Sequence, residues 1–199
     1  MNLLVTGGAG FIGSNFVRYW LAAHPEDSVF VFDAFTYAGR ASNLSGLDVR
    51  IAEGDVTDPE AVLYSLKFWK IDAVVHMAAE SHVDRSIHGA ADFARTNVVG
   101  TQVMLDAARE VGVKRFLHVS TDEVFGDREG RSAAAEDSAL DPNSPYAASK
   151  AASDLLCLAA HRTHGFPVVI TRSTNNYGPR QHPEKFIPTV LLRALRGEP

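Results

Sequence analysis

With 199 residues, 46% apolar and 22% charged, the chain can bury one sizeable core and has the balance of an ordinary globular domain. A formal net charge of −5 argues against a general nucleic-acid or membrane surface. The lone Cys157 excludes an internal disulfide, and with no signal-like "MNLLVTGG" start and no run of about 18 apolar residues, a cytoplasmic setting is expected.

"NLLVTG" (2–7) is a short apolar run that stops at glycines, and "GFIGSNFVRYWLAAH" (10–24) then has helical spacing. "SVFVFD" (28–33) and "VRIAEGD" (49–55) read as strands, with the helix-like "PEAVLYSLKFW" (59–69) after them. "AVVHMAA" (73–79) is a fourth strand, and 91–112 reads as one long helix. "RFLHVST" (115–121) is a fifth strand. Residues 144–165 form a helix with Ser144 as its cap and Pro145 at its first position. "PVVITRSTN" (167–175) is a sixth strand, and 184–197 is helical, with Pro188 near its start. Apolar strands alternating with helices predict an α/β fold, a parallel sheet covered on both faces. The least regular connections are 34–48 and the polar 124–143. Loops that long in a compact domain are often functional.

"TGGAGFIG" (6–13) sets Gly7, Gly10 and Gly13 between the first strand and helix, enclosing Phe11 and Ile12. That spacing serves a tight turn, close backbone approach to a pyrophosphate, and a helix amino end aimed at the anion. Asp33 ends the next strand, 20 residues after Gly13. A carboxylate there accepts hydrogen bonds from a ribose 2′-hydroxyl and repels a 2′-phosphate, so NAD is expected over NADP. Asp55 and Val56 would flank the adenine, although Asp55 also reads as a turn aspartate. Ala78 and Ala79 end the fourth strand as small residues leaving room for the dinucleotide. The expected architecture is a Rossmann-type doubly wound sheet.

"SPYAASK" places Tyr146 and Lys150 four apart on one helix face. An ammonium beside a phenol favours phenolate, which can take a hydroxyl proton while hydride leaves. "HVSTDEVFG" (118–126) adds Thr121, Asp122 and Glu123 at a strand end, where unpaired charge would be expensive to bury.

With "TGGAGFIGS", "FTYAG", "AAESHVDRSI", "TNVVGT", "HVSTDEVFG", "SPYAASKAASD" and "NNYGPRQHPEKFIP", the chain resembles the extended short-chain dehydrogenase/reductases acting on nucleotide sugars. Within these it is most similar to the dTDP-glucose 4,6-dehydratases, from residue 6 to residue 188. The resemblance implies that Tyr146 takes the C4 hydroxyl proton as NAD takes the hydride, with Thr121 bonding that hydroxyl. Glu123 then removes the C5 proton, Asp122 protonates the departing C6 hydroxyl, and hydride returns to C6. The alternatives are another NAD-dependent epimerase or decarboxylase, or a non-catalytic NAD-binding fragment.

Ser81, His82, Asp84, Asn175 and Lys185 are candidate substrate contacts by resemblance, with loop packing the better reading for Glu80 and His82. Asn97 is a candidate near the cofactor, anchoring a carbonyl or a water. No metal is expected, since no second histidine has ligand spacing to His82. The resemblance also implies a homodimer packed through the helices at 91–112 and 144–164. Phe125, Ala34 and Arg40 stand where the family usually has Tyr, Lys and Asn. The whole of 1–199 is expected to be the NAD-binding domain, with a substrate-binding domain beginning at about 176–199.

Overall fold

A computed structural model describes residues 1–130 and 132–198. Six strands form one parallel sheet: β1 (Asn2–Thr6), β2 (Ser28–Asp33), β3 (Arg50–Glu53), β4 (Ala73–His76), β5 (Arg115–Thr121) and β6 (Val168–Ser173), in the order β3-β2-β1-β4-β5-β6. Both neighbours of β1 run parallel to it, with Leu4 beside Phe30 and Val74. The strand order reverses between β1 and β4, which opens a crevice at their carboxyl ends.

The strands are apolar throughout because both faces are covered. Leu4, Phe30, Phe32, Val74 and Phe116 point to one face. There they meet Val62 and Leu66 of α2 (Pro59–Phe68), Met104, Leu105 and Ala108 of α5 (Gly100–Val111), and Cys157 of α6 (Pro145–His164). Cys157 is a fully buried core residue, and burial pushes its thiol up to about 12. The alternate residues Leu3, Val5, Val29, Val31 and Val75 face Val17 of α1 (Phe11–Ala23) and Leu44 of a 3₁₀ turn. Caps place the helix starts. Asp58 accepts from Glu60 and Ala61 N–H ahead of Pro59, and Ser144 accepts from Ala147 N–H at 3.0 Å ahead of Pro145. At the other sheet edge, β6 exposes Val169, and α7 (Phe186–Arg196) has no buried residue. Among the described residues no helix is long and apolar enough to cross a membrane.

The segment 91–112 differs from the single helix its periodicity predicts. A short α3 (Val83–His88) precedes it, α4 (Ala90–Phe93) runs into a π-helical stretch at Ala94–Val99, and α5 follows. Asn97 in the wide turn is buried. Its Oδ1 accepts from Glu80 N–H, and its Nδ2 donates to the Glu80 carbonyl and to Ser149 Oγ, each at 2.9 Å. The Thr101 hydroxyl donates to the Asn97 carbonyl at 2.6 Å. Such π turns are favoured where a side chain must serve a site.

Thr101 continues a polar chain through the core. Since its hydroxyl proton goes to Asn97, it accepts from His76 Nε2 at 3.1 Å. His76 Nδ1 then accepts from Thr6 Oγ1 at 2.8 Å, which assigns the neutral Nε2–H tautomer. Burial, with the Lys150 charge added, lowers His76 to about 3. The folded chain binds that proton less readily than the unfolded one. Its stability contribution is therefore complete above pH 6.5 and lost as pH falls from there toward 3. Urea midpoints at pH 7 and pH 4.5 are expected to differ less in His76→Gln than in the native chain; an equal difference would rule out this contribution.

Candidate active site

A cavity of about 580 Å³ opens at the carboxyl ends of the strands. One end is lined by Asp33, Asp55 and Val56, its middle by Gly7, Gly10, Phe11, Ile12, Gly13, Ala78 and Ala79, and its far end by Thr121, Glu123, Tyr146 and Lys150. Ser81, Asn175 and Lys185 line it too.

The glycine turn is built by close approach. Gly7 has φ +67°, and a Cβ there would lie 2.8 Å from Ala78 N. A Cβ on Gly13 would lie 2.3 Å from the Gly7 carbonyl oxygen, so α1 can rest directly on the turn. Gly10 caps α1 with no side-chain hydrogen bond, leaving the helix amino end open toward the cavity. Gly13→Ala is expected to remove dinucleotide binding and to cost about 1–3 kcal/mol of stability through overpacking. Calorimetry with NAD and a urea titration check this, and native affinity would refute the close-approach role.

Asp33 is buried, and its carboxylate braces the turn. Oδ2 accepts from Ala9 N–H at 2.8 Å and Oδ1 from Phe35 N–H at 2.9 Å. Each oxygen keeps a lone pair for a ribose hydroxyl, and the charge opposes a phosphate in that place. Asp55 is also a turn aspartate, accepting from Thr57 N–H at 2.9 Å. The residues lining the cavity therefore fit a dinucleotide with a free 2′-hydroxyl.

At the far end, Thr121 ends β5 and caps a 3₁₀ turn at Asp122–Phe125. Its hydroxyl accepts from Glu123 N–H and approaches Asp122 Oδ1, both at 3.3 Å. It also lies close enough to the Tyr146 phenol to favour its ionised form, against the larger effect of burial. Phe93 packs edge-on to the Tyr146 ring, centroids 6.3 Å apart. Glu123 lines the cavity and its carboxyl is raised, first by burial and then by Asp122, against Lys185.

The sequence predicts that Lys150 draws the Tyr146 phenol down, and the structure differs. Burial and the Glu123 charge hold that phenol up at about 12. Lys150 is buried and donates to the Val119 carbonyl at 2.8 Å. Burial lowers its ammonium to about 8, opposed by Asp154 and Cys157.

Four candidates do not line the cavity. Asn97 is the Glu80 clamp, and Asp122 opens the turn one residue before Glu123. His82 caps α3, accepting from Arg85 N–H, and Asp84 lies exposed in the first turn of that helix. Residues that sequence reasoning left out do line it, among them Tyr37, Gly39 and Glu184. Arg85 stacks over the Tyr37 ring at 3.9 Å, and Glu184 lies 3.5 Å from Arg85 and 3.7 Å from His82. The quoted "FTYAG" and "PEK" contained these residues, but only tertiary proximity joins them. His24, Glu26 and Asp27 lie close together at the opposite end of the sheet, where Asp27 already accepts from Trp20 Nε1 and the terminal amine.

A profile of the NAD dependent epimerase/dehydratase family matches residues 3–199. The chain is 52% identical over 203 residues to the low-salt glycan biosynthesis protein Agl12 of Haloferax volcanii, covering 100% of this chain and 64% of that protein. It is 51% identical over 207 residues to the dTDP-glucose 4,6-dehydratase of Streptomyces niveus, covering 100% of this chain and 60% of that one. The crystal structure of DesIV, a dTDP-glucose 4,6-dehydratase from Streptomyces venezuelae with NAD and TYD bound, superposes with a TM-score of 0.92 at 54% identity, covering 99% of this chain and 63% of that one. The UDP-glucose 4-epimerase of Thermus thermophilus in complex with NAD superposes with a TM-score of 0.91 at 33% identity, covering 100% and 64%. The chain thus spans 60–64% of the length of these relatives.

Proposed function

The chain belongs to the NAD dependent epimerase/dehydratase family, and from that premise we propose that it carries the NAD site and the reacting groups of a dTDP-glucose 4,6-dehydratase. The product would be dTDP-4-keto-6-deoxyglucose. The observation that carries this reading is Glu123, a carboxylate with raised proton affinity in the same cavity as Thr121, Tyr146 and Lys150. An epimerase moves one hydride out and back and leaves that carboxylate without a task. Loss of water from C5–C6 needs a base and an acid.

NAD, when bound, supplies a cationic ring that accepts and returns a hydride and favours the Tyr146 phenolate. Gly7, Gly10, Phe11, Ile12, Gly13, Asp33, Asp55, Val56, Ala78 and Ala79 would hold the dinucleotide, with Asn97 fixing the loop above it. Tyr146 accepts the C4 hydroxyl proton, and Thr121 orients that hydroxyl. Glu123 takes the C5 proton, and Asp122, one residue before it, serves the C6 leaving group. Ser81, Asn175 and Lys185 face the sugar diphosphate, while His82 and Asp84 act through the loop that carries Ser81. Residues 176–199 begin the substrate-binding part. A homodimer through α6, α5 and the π-helical stretch before it would cover exposed Leu155 and Val99; sedimentation as a monomer would remove it. A cytoplasmic setting accords with a sugar-nucleotide substrate.

The test is product mass and proton NMR after incubation with NAD and dTDP-glucose. Loss of one water with a new 6-methyl signal supports the dehydratase reading. Unchanged mass with inverted C4 favours the epimerase. No reaction with NAD bound makes this chain a cofactor-binding piece whose activity needs more of the protein.

A further inference from the structure

The helix bearing Tyr146 and Lys150 carries a third polar group at the same spacing. Asp154 follows Lys150 by four residues, one turn further along the same face of α6. It is 0% exposed, and a carboxylate that deep is costly unless paired. Arg172 of β6 is its partner, donating from Nε to Asp154 Oδ2 at 2.8 Å. The guanidinium is itself fixed. Its Nη1 donates to the Glu136 carbonyl at 3.0 Å, and it lies 5.0 Å from the Phe125 ring centroid.

Only one Asp154 oxygen is used this way. Among the described residues Oδ1 accepts no hydrogen bond, and it lies 3.6 Å from His118 Nε2. His118 does not answer that charge. Ser153 gives its own proton to the Lys150 carbonyl at 2.7 Å, so its hydroxyl accepts from His118 Nε2 at 3.0 Å. Burial, with Lys150 second, keeps the His118 imidazole neutral. The other groups felt by Lys150 are neutral as well: His76 from β4, and Cys157 on its own helix. Arg172 is turned to Asp154. The Lys150 ammonium has three protons to place, and the Val119 carbonyl is the acceptor it reaches.

We propose that Asp154 is a positioning residue for the catalytic helix: clamped by Arg172, it supplies the fixed negative charge against which the buried Lys150 ammonium is held, one helical turn from Tyr146. The proposal rests on the reading of Lys150 as the charge beside the reacting phenol, and it explains why a carboxylate with an unused oxygen is kept in the core.

The test needs no substrate. The chain has five lysines, so ¹³Cε-lysine NMR can follow Lys150, assigned by the loss of its signal in Lys150→Met. The native signal is expected to titrate near pH 8. In Asp154→Asn, which keeps size and can still accept from Arg172, the midpoint is expected about one pH unit lower, a tenfold loss of proton affinity. An unchanged midpoint in the folded variant overturns the proposal. A merely structural aspartate would change stability and leave that midpoint in place. If Asp154→Asn does not fold, the native chain still decides. The Asp154 ¹³Cγ signal must show a step at the Lys150 midpoint, and that step must vanish in Lys150→Met; its absence overturns the proposal. Failure of the native protein to turn over dTDP-glucose would count against the dehydratase reading alone.

Discussion

Tyr146→Phe is expected to stop NADH formation on addition of dTDP-glucose, slowing the first step by about 10²–10⁴-fold, the range for a lost general base. The substitution removes one oxygen. The edge-on contact with Phe93 holds the ring, and the Thr121 hydroxyl still caps its turn through Glu123 N–H, so the site's shape should persist. NAD affinity is expected to stay within about threefold, less than 1 kcal/mol. The starting value matters here: a phenol held at about 12 by burial and Glu123 is a poor base at neutral pH. Its activation therefore depends on positive charge brought beside it. Native rates of NADH appearance in Tyr146→Phe would dismiss it as the base.

Glu123→Gln is expected to act one step later. NADH should form and accumulate, while exchange of the C5 hydrogen with deuterated water falls by about 10²–10⁴-fold. Glutamine keeps the shape, and the turn is held by the Glu123 backbone N–H, which the change leaves alone. In the native chain, the raised carboxyl of Glu123 brings it closer to neutral pH, where a base combines strength with ionisation. Exchange should therefore fall as pH drops through that raised value, and Glu123→Gln should lack this limb. Unchanged exchange would transfer the base role to another group, and Asp122→Asn would show whether it is the neighbour.

The two variants divide the proposed cycle at the 4-keto stage. The strands and most helices were legible because a sheet buried on both faces forces continuous apolar runs. β2 and β5 have the same bounds in both readings. The glycine turn was legible because close backbone approach leaves no other residue type for Gly7 and Gly13. The break at Ala94–Val99 was hidden, since a π turn inserts into helical periodicity without disturbing most of it. Asn97, expected to anchor a carbonyl or a water, does hold the Glu80 carbonyl and also accepts from its N–H, though it does not line the cavity. Asp154 lay in plain view in "SKAASD", but its partner Arg172 is 18 residues away on β6, and no local pattern links them. The spacing of Tyr146 and Lys150 was legible, but the burial and the Glu123 charge that raise the phenol are not carried by that spacing.

The central place of β1 has a consequence for the order in which the site comes into being. The glycine motif is synthesised before the fourth strand, yet Gly7 rests on the backbone of Ala78, and the β1 residues Leu3 to Thr6 pair with Ala73 to His76. A nascent chain that has not yet released Ala78 therefore owns the motif without owning the site. Lys150 adds its contact with the Val119 carbonyl later still. Cofactor capture thus waits on β4, and a ribosome-bound intermediate of this chain stays empty until that strand has docked.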